Sequence, residues 1–583
     1  MNRLVTSDST LPAPPKGRST GTIVDATTVP ESGTPGSLAR EYPKLLTAAF
    51  VASAKAPAVT VLSLLAILVT CGATLAVGLP QMTVDGHDVF GFLDGGWRVL
   101  QGQVPHVDFY SAMGPLYYLV WAAGLKFAHY RVEGIVYVTA LLGVVLGLWS
   151  FAVVRNRLGA LCATVCTVLL VCLWLAPFAI GDPSYLTTYA MQYNRLGYVL
   201  FLLIFIELLG APDPNGHAQG EWGGCSSGLA LGLLLFLKAN FFMVALVPLA
   251  CVYVFRIKNK RHGLFLVCGF LAALLPMSWY LHWHLGSMVT DLRIAAGARV
   301  TQGALGRALV RIPLRNFTTI AALVGLALLA QALPGEEKRK AFSILNRNWL
   351  WIFLVLACDF AVAASNYQRS VLPLSLIAML LLVDQLIRSR TPERREMQRG
   401  LAMCLFVVVV ATALPPATDL VSAWESETLV RMGRAPSGSH IDASQMAALG
   451  FKDYSDAIWW GAEWHNGHLM TGRVNDGIAL LRQHTTAAER IVCLCFANPF
   501  SYALLRQPPR GGSPFLDDGS SVSETSAPSA ERLIGDADLV IYPKADPNPP
   551  TVATLLRICE PILSKNYRNL AESEQWVLLQ RQR

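Results

Sequence analysis

Four aspartates, Asp85, Asp88, Asp94 and Asp108, stand within 24 positions that hold a single basic residue, Arg98. They follow directly on a hydrophobic run, where carboxylates are costly to desolvate. A carboxylate in a partly desolvated cleft has a raised pKa and suits general-base chemistry. Asp85, Asp88 and Asp108 are the candidates for such work. Two or three of them with water would also bind a hard divalent cation such as Mg²⁺, Mn²⁺ or Ca²⁺, with Asp88 and Asp108 as ligands. The plain alternatives are an N-cap role for Asp88 before a helix over Phe90–Leu100, and a solvated Asp94 or one paired with Arg98.

Lone cations inside apolar sequence are the second signal. Lys238 stands by itself in an apolar stretch of about 30 residues, where charge is expensive. It either meets an anion or snorkels to an interface. Arg195 at the lip of an apolar run and Arg369 in the short loop Ser365–Ser370 pose the same choice. Arg293, Arg299, Arg307 and Arg311 gather in residues 284–313. They fit either a phosphate-binding, gating loop or a helix resting on anionic headgroups. His87, His106 and His129 have no metal-ligand spacing and read as polar interface residues.

The elements that would position these groups are apolar spans. The chain has 583 residues, 53% hydrophobic and 15% charged, with mean hydropathy +0.43. Soluble domains carry about 25% charged residues. That deficit, with repeated apolar runs of about 20 residues, implies a mainly α, polytopic membrane protein. The net charge of +8 and pI near 8.9 fit basic cytoplasmic loops, and no basic, aromatic-rich module suggests nucleic acid. Residues 1–55 form a Ser-, Thr-, Pro- and Gly-rich cytoplasmic tail without a cleavable signal peptide. The membrane domain covers 56–417, with a first outer loop and interfacial helices over 85–132.

Basic clusters order the spans. Arg40, Lys44 and Lys55 put the N-terminus inside. Spans then fall at 59–79, 133–154, 159–180, 195–210, 226–238, 241–255, 263–283, 314–333, 349–364, 371–388 and 401–417. The Gly-Pro-led stretch Met113–His129 lies in the interface or re-enters, because a crossing there would put every later basic cluster on the wrong side. The result is about 11 transmembrane helices in a cytoplasmic (inner) membrane, with an extracytoplasmic C-terminus.

Residues 418–583 then form an extracytoplasmic soluble α/β domain. Strands are expected over Arg490–Phe496, Asp538–Tyr542 and Gln575–Leu579, helices over Asn475–Gln483 and Thr551–Ile562, and a loop over 507–534. Trp459, Trp460 and Trp464 make either a bilayer-facing surface or a core. Eight of the cysteines sit in apolar spans as small hydrophobes. Cys493, Cys495 and Cys559 allow at most one disulfide.

From Asp88 onward the sequence resembles the first outer loop of the GT-C glycosyltransferases. That superfamily includes the protein O-mannosyltransferases, the lipid A aminoarabinose transferases and the rhizobial lipopolysaccharide galacturonosyltransferases. The carrying residues are Asp88, Trp97-Arg98-Val99-Leu100-Gln101-Gly102, Val104-Pro105-His106-Val107-Asp108-Phe109-Tyr110 and Gly114-Pro115-Leu116-Tyr117-Tyr118. They match, in order and spacing, an acid, then W-R-L-L-x-G, V-P-x-x-D-F/Y and P-P-L-x-Y. Tyr193-Asn194-Arg195-Leu196-Gly197 and Leu237-Lys238-Ala239-Asn240 are similar to later family features. Many members carry Asp-Glu at the first acid; here Val89 follows Asp88, and Asp85 is the candidate substitute.

The resemblance implies a polyprenyl-phosphate sugar donor, an extracytoplasmic site and inversion at the anomeric carbon. Asp88 would be the base and Asp108 a second acid that orients the acceptor. Lys238, Arg195, Arg369, Arg293 and Arg299 would receive the donor phosphate. The acceptor would be a cell-envelope glycolipid, a polysaccharide or a protein. Tyr117, Tyr118 and Trp121 read as bilayer packing more than as a sugar platform. Two rivals stay open: a lipid or sugar transporter or flippase, and an inactive membrane scaffold. Transporters show repeated halves around a midplane polar site, and no repeat is visible here.

Overall fold

The structure is a computed structural model that describes residues 56–582 except 81–85, 183–186, 211–218, 256–259, 300–303, 333–349, 366–370, 389–406, 408–414, 435–469 and 545–548. It is mainly helical, with a small C-terminal sheet. The helices run α1 (Pro57–Val77), α2 (Gly86–Leu100), α3 (Leu116–Phe127), α4 (Gly134–Val154), α5 (Ala160–Leu175), α6 (Gln192–Leu209), α7 (Gln219–Leu237), α8 (Ala239–Val254) and α9 (Lys260–Tyr280). Then come α10 (Leu285–Ala298), α11 (Ala304–Arg315), α12 (Phe317–Ala332), α13 (Leu350–Ser365), α14 (Pro373–Arg388) and α15 (Pro415–Arg431).

Five of the described helices, α1, α4, α6, α7 and α9, are long and apolar enough to cross a membrane. Shorter apolar helices occupy the expected spans 159–180, 241–255, 314–333, 349–364 and 371–388. The last expected span, 401–417, lies almost wholly outside the described residues, as do Trp459, Trp460 and Trp464. The described part of 284–313 forms α10 and α11, the helical one of the two alternatives open for that stretch, because Ala, Leu and Arg there are good helix formers. One local expectation changes. The stripe Tyr117, Tyr118 and Trp121 on α3 is fully buried inside the protein, against Phe92 of α2, so it packs on protein and not on lipid.

α6 is the central post. It is mostly apolar, and residues 194–209 are buried on every face. Its first turn sets Tyr193 and Asn194 at one end of the bundle, and toward the other end the buried Glu207 pairs with Arg157 and His262. α7 and α9 approach closely through glycine. A Cβ on Gly228 would strike the backbone carbonyl of Leu266, and one on Gly269 the carbonyl of Cys225. Such small-residue faces let helix backbones pack tightly in an apolar medium.

The C-terminal segment adds α16 (Met470–His484), β1 (Ile491–Cys493), α17 (Phe500–Ala503), α18 (Ala530–Ile534), β2 (Leu539–Pro543), α19 (Pro549–Asn566), β3 (Tyr567–Glu572) and β4 (Trp576–Arg581). The sheet order is β1-β2-β4-β3. β1 and β2 are parallel, with Ile491 beside Leu539, and the other pairs are antiparallel. The alternation of the strands explains the layering. Val492, Leu494 and Val540 pack with Leu555 and Cys559 of α19, while Ile491, Cys493, Leu539 and Ile541 face the other way with Ile478 and Leu481 of α16. β3 has no counterpart among the expected strands, because its Tyr567-Arg-Asn-Leu-Ala-Glu572 sequence lacks an apolar run. Its pairing with β4, with an irregularity at Asn569/Ala571, supplies the order instead. The described cysteines are free thiols.

Candidate active site

Asp88 lies in the first turn of α2, which starts at Gly86 and not at Phe90. It is therefore a first-turn acid, not the N-cap, and the helix dipole favours a carboxylate there. Its side chain keeps 12% of its surface accessible, and that of His87 keeps 16%, with Nε2 3.5 Å from Asp88 Oδ1. Burial pushes the His87 imidazole down to about 3, so it is a neutral neighbour of the acid.

Lys238 forms the link between α7 and α8, outside both helices, with an extended backbone. Its Nζ lies 3.2 Å from Asn194 Oδ1 and 4.6 Å from the centre of the Tyr193 ring. Burial, reinforced by the Arg299 guanidinium, pushes the ammonium down to about 7, while Asp88 opposes the shift. Asp88 and Arg299 also act electrostatically on Tyr193. One acid and two cations thus share one neighbourhood around the first turn of α6. An acid beside paired cations can take a proton from a hydroxyl while the cations hold an anion.

The other candidates sit differently. Asp108 Oδ2 accepts the Val104 amide at 2.8 Å, and Oδ1 lies 3.8 Å from Arg510 Nε, so this carboxylate closes the 104–108 turn. The Arg195 guanidinium donates to the carbonyls of Phe178, at 2.6 Å, and Leu173, at 2.8 Å, and stacks on Phe178. It braces the segment after α5. Arg293 is exposed on α10. Asp85 and Arg369 lie outside the described residues. Among the described residues, no group of three or more His, Cys, Asp or Glu side chains could hold a metal ion.

The Asp94–Arg98 pair is present as one of the sequence alternatives, and sequence reasoning missed the rest of the scaffold beneath α2. Arg98 is fully buried. Its Nε meets Asp94 Oδ2 at 2.7 Å, and its Nη1 donates to Gln103 Oε1, Pro509 O and Gly511 O at 3.1, 2.9 and 2.8 Å. Burial raises the Asp94 carboxyl, and Arg98 opposes that shift. Gln103 Nε2 donates to the Pro508 and Pro509 carbonyls, and Trp97 Nε1 to that of Arg506. A second hub is Asp291 of α10, which is fully buried. It meets His106 Nδ1 at 3.0 Å, the Ser111 amide at 3.2 Å and Arg532 Nη1 at 2.6 Å. Arg532 also holds the His106 carbonyl at 2.9 Å, which fixes His106 in its left-handed conformation. His106 is thus a buried tie and not an interface residue.

No family model matches the sequence, and no curated protein matches it. Among solved structures, the chain is similar to ArnT from Cupriavidus metallidurans bound to undecaprenyl phosphate, at 14% identity and TM-score 0.45, covering 90% of this chain and 98% of that one. It is also similar to the Archaeoglobus fulgidus oligosaccharyltransferase in complex with zinc and sulfate, at 12% identity and TM-score 0.35, covering 82% and 68%. A third is AglB of that organism with an inhibitory peptide and a dolichol-phosphate, at 13% identity and TM-score 0.32, covering 87% and 72%.

Proposed function

We propose that this chain is an integral membrane glycosyltransferase of the GT-C kind, which moves a sugar from a polyprenyl-phosphate donor to a hydroxyl of a cell-envelope glycolipid, polysaccharide or protein. It would cross an inner membrane about 11 times, with residues 1–55 inside, and act on the outer face. Residues 418–583 would form the extracytoplasmic domain. The observation that carries this reading is the grouping of Asp88, Lys238 and Arg299 around Tyr193 and Asn194.

In this reading Asp88 takes the proton of the acceptor hydroxyl. The freed oxygen attacks the anomeric carbon on the face opposite the phosphate. The bond from that carbon to the phosphate oxygen breaks, and its electron pair leaves with the phosphate. Lys238 and Arg299 stabilise the charge that develops there. Inversion at the anomeric carbon follows from in-line displacement. Asp108 and Arg195 serve the scaffold, and Arg293 and Arg369 are candidates for steering the anionic donor.

Membrane vesicles bearing the chain, given radiolabelled polyprenyl-phosphate sugars, test the reading. Label moving into a lipid, polysaccharide or protein fraction, and lost in Asp88→Asn at equal expression, supports it. Transfer that survives Asp88→Asn removes Asp88 as the base. An absence of transfer from every donor removes the enzyme.

A further inference from the structure

The C-terminal segment touches the proposed site through two phenylalanines. Phe496 sets its ring edge-on to His87, with centroids 4.3 Å apart. Phe515 lies 4.7 Å from Phe92 and 6.3 Å from Phe496. The two are held to each other by the backbone, since the Leu516 amide donates to the Phe496 carbonyl at 2.9 Å. Ser513 pins the loop, accepting from the Phe515 amide at 3.2 Å and donating to its carbonyl at 2.8 Å.

The surface that Phe515 meets is cut to receive it. Gly91 follows Asp88 by one helical turn, and a Cβ on it would drive into the Phe515 ring. Phe92 is one turn beyond Asp88 at i+4, on the same side of α2. Its ring continues to Tyr193 at 5.5 Å, and that ring carries Lys238 Nζ at 4.6 Å. An unbroken row of rings therefore leads from the C-terminal segment to the ammonium.

We infer that Phe515 is a positioning residue of this site: it wedges the Asp88 face of α2 against Tyr193 and Lys238, so that the C-terminal segment sets the distance between proton acceptor and donor phosphate. The inference rests on the reading of Asp88 and Lys238 given above. Its consequence is a split in kinetics. Bound donor stays held by Lys238 and Arg299, while the acid loses its alignment, and misalignment by about 1 Å costs on the order of a hundredfold in rate.

The test compares wild type, Phe515→Ala, Phe515→Tyr and Gly91→Ala in vesicle transfer, with hydrogen exchange of residues 86–100 measured on the same purified full-length proteins. Phe515→Ala is expected to lower kcat by about ten- to a hundredfold with the donor KM within about threefold. Phe515→Tyr, which keeps the ring, is expected to stay near wild type. Gly91→Ala, which displaces the ring, should repeat the loss. Exchange of 86–100 should rise in the alanine variants while α4 stays unchanged. Unchanged exchange across 86–100 overturns the inference whatever the rates do, and so does raised exchange with kcat retained. A wild type that transfers no sugar defeats the reading of Asp88 and Lys238 instead. Exchange alone then decides whether Phe515 holds α2.

Discussion

Lys238 and Arg195 look alike in the sequence, each a lone cation at the edge of an apolar run, yet the fold uses them in opposite ways. Arg195 is absorbed by backbone carbonyls, while Lys238 faces Asn194, Tyr193, Asp88 and Arg299. The Lys238 ammonium, pushed down to about 7, is charged below that pH and neutral above it. If it holds the donor phosphate, kcat/KM should fall as pH rises through about 7, and Lys238→Arg should remove that alkaline limb, because guanidinium stays charged. Asp88→Asn should cost about 10²- to 10⁴-fold in kcat, read in the vesicle assay. Asp291→Asn should leave Arg532 and His106 short of a charged acceptor and cost about 1–3 kcal/mol, read as a lower thermal midpoint in detergent. Residue type and spacing alone make Asp88, Lys238 and Arg299 legible as candidates. The Asp291 hub is not legible in that way, because its partners lie 185 and 241 positions away. Asp108 is legible as a candidate acid, but its contact with the amide four residues back is one that any turn could make and has no sequence signature.

The hairpin of α7 and the neighbouring α9 show what a span needs besides apolarity. Gly224, Gly228 and Gly232 recur every fourth residue along α7, and Gly224 and Gly228 bring its backbone against that of α9, where Gly269 meets it in turn. Gly228→Val should overpack this face by about 1–3 kcal/mol and lower the thermal midpoint, with little change in the donor KM of the molecules that stay folded. The glycine spacing is visible in the sequence, but hydropathy does not register it, and hydropathy alone places the span at 226–238 and misses its first turns. Hydropathy locates the other described apolar helices well because it measures the very property a bilayer selects. It leaves 284–313 open between loop and helix, because Arg and Ala there are mixed with apolar residues and only helical period points to α10 and α11. It fails on α15, whose mixed sequence is ordered by packing on α1 and α5.

At the scale of the molecule, the membrane-side helices and the C-terminal sheet share one apolar core, in which Phe92 and Tyr118 belong with Ile491 and Leu539. The sequence suggests two independent parts, since the composition shifts after residue 417. It cannot show that the donors of Trp97, Arg98 and Gln103 are matched by the carbonyls of 506–511, because backbone acceptors have no sequence signature. Ending the chain at residue 469 should strand those donors. Hydrogen exchange over 86–103 should then rise, and transfer should vanish even though the spans remain. There is also a consequence in time. Arg98 is synthesised 411 residues before the Pro509 carbonyl that it needs, which at ribosomal speed is a wait of roughly 20–80 s. During that wait only Asp94 and Gln103, both local, can shelter its charge. The proposed site would therefore assemble last, and a nascent or broken chain would meet the lipid donor without the power to use it.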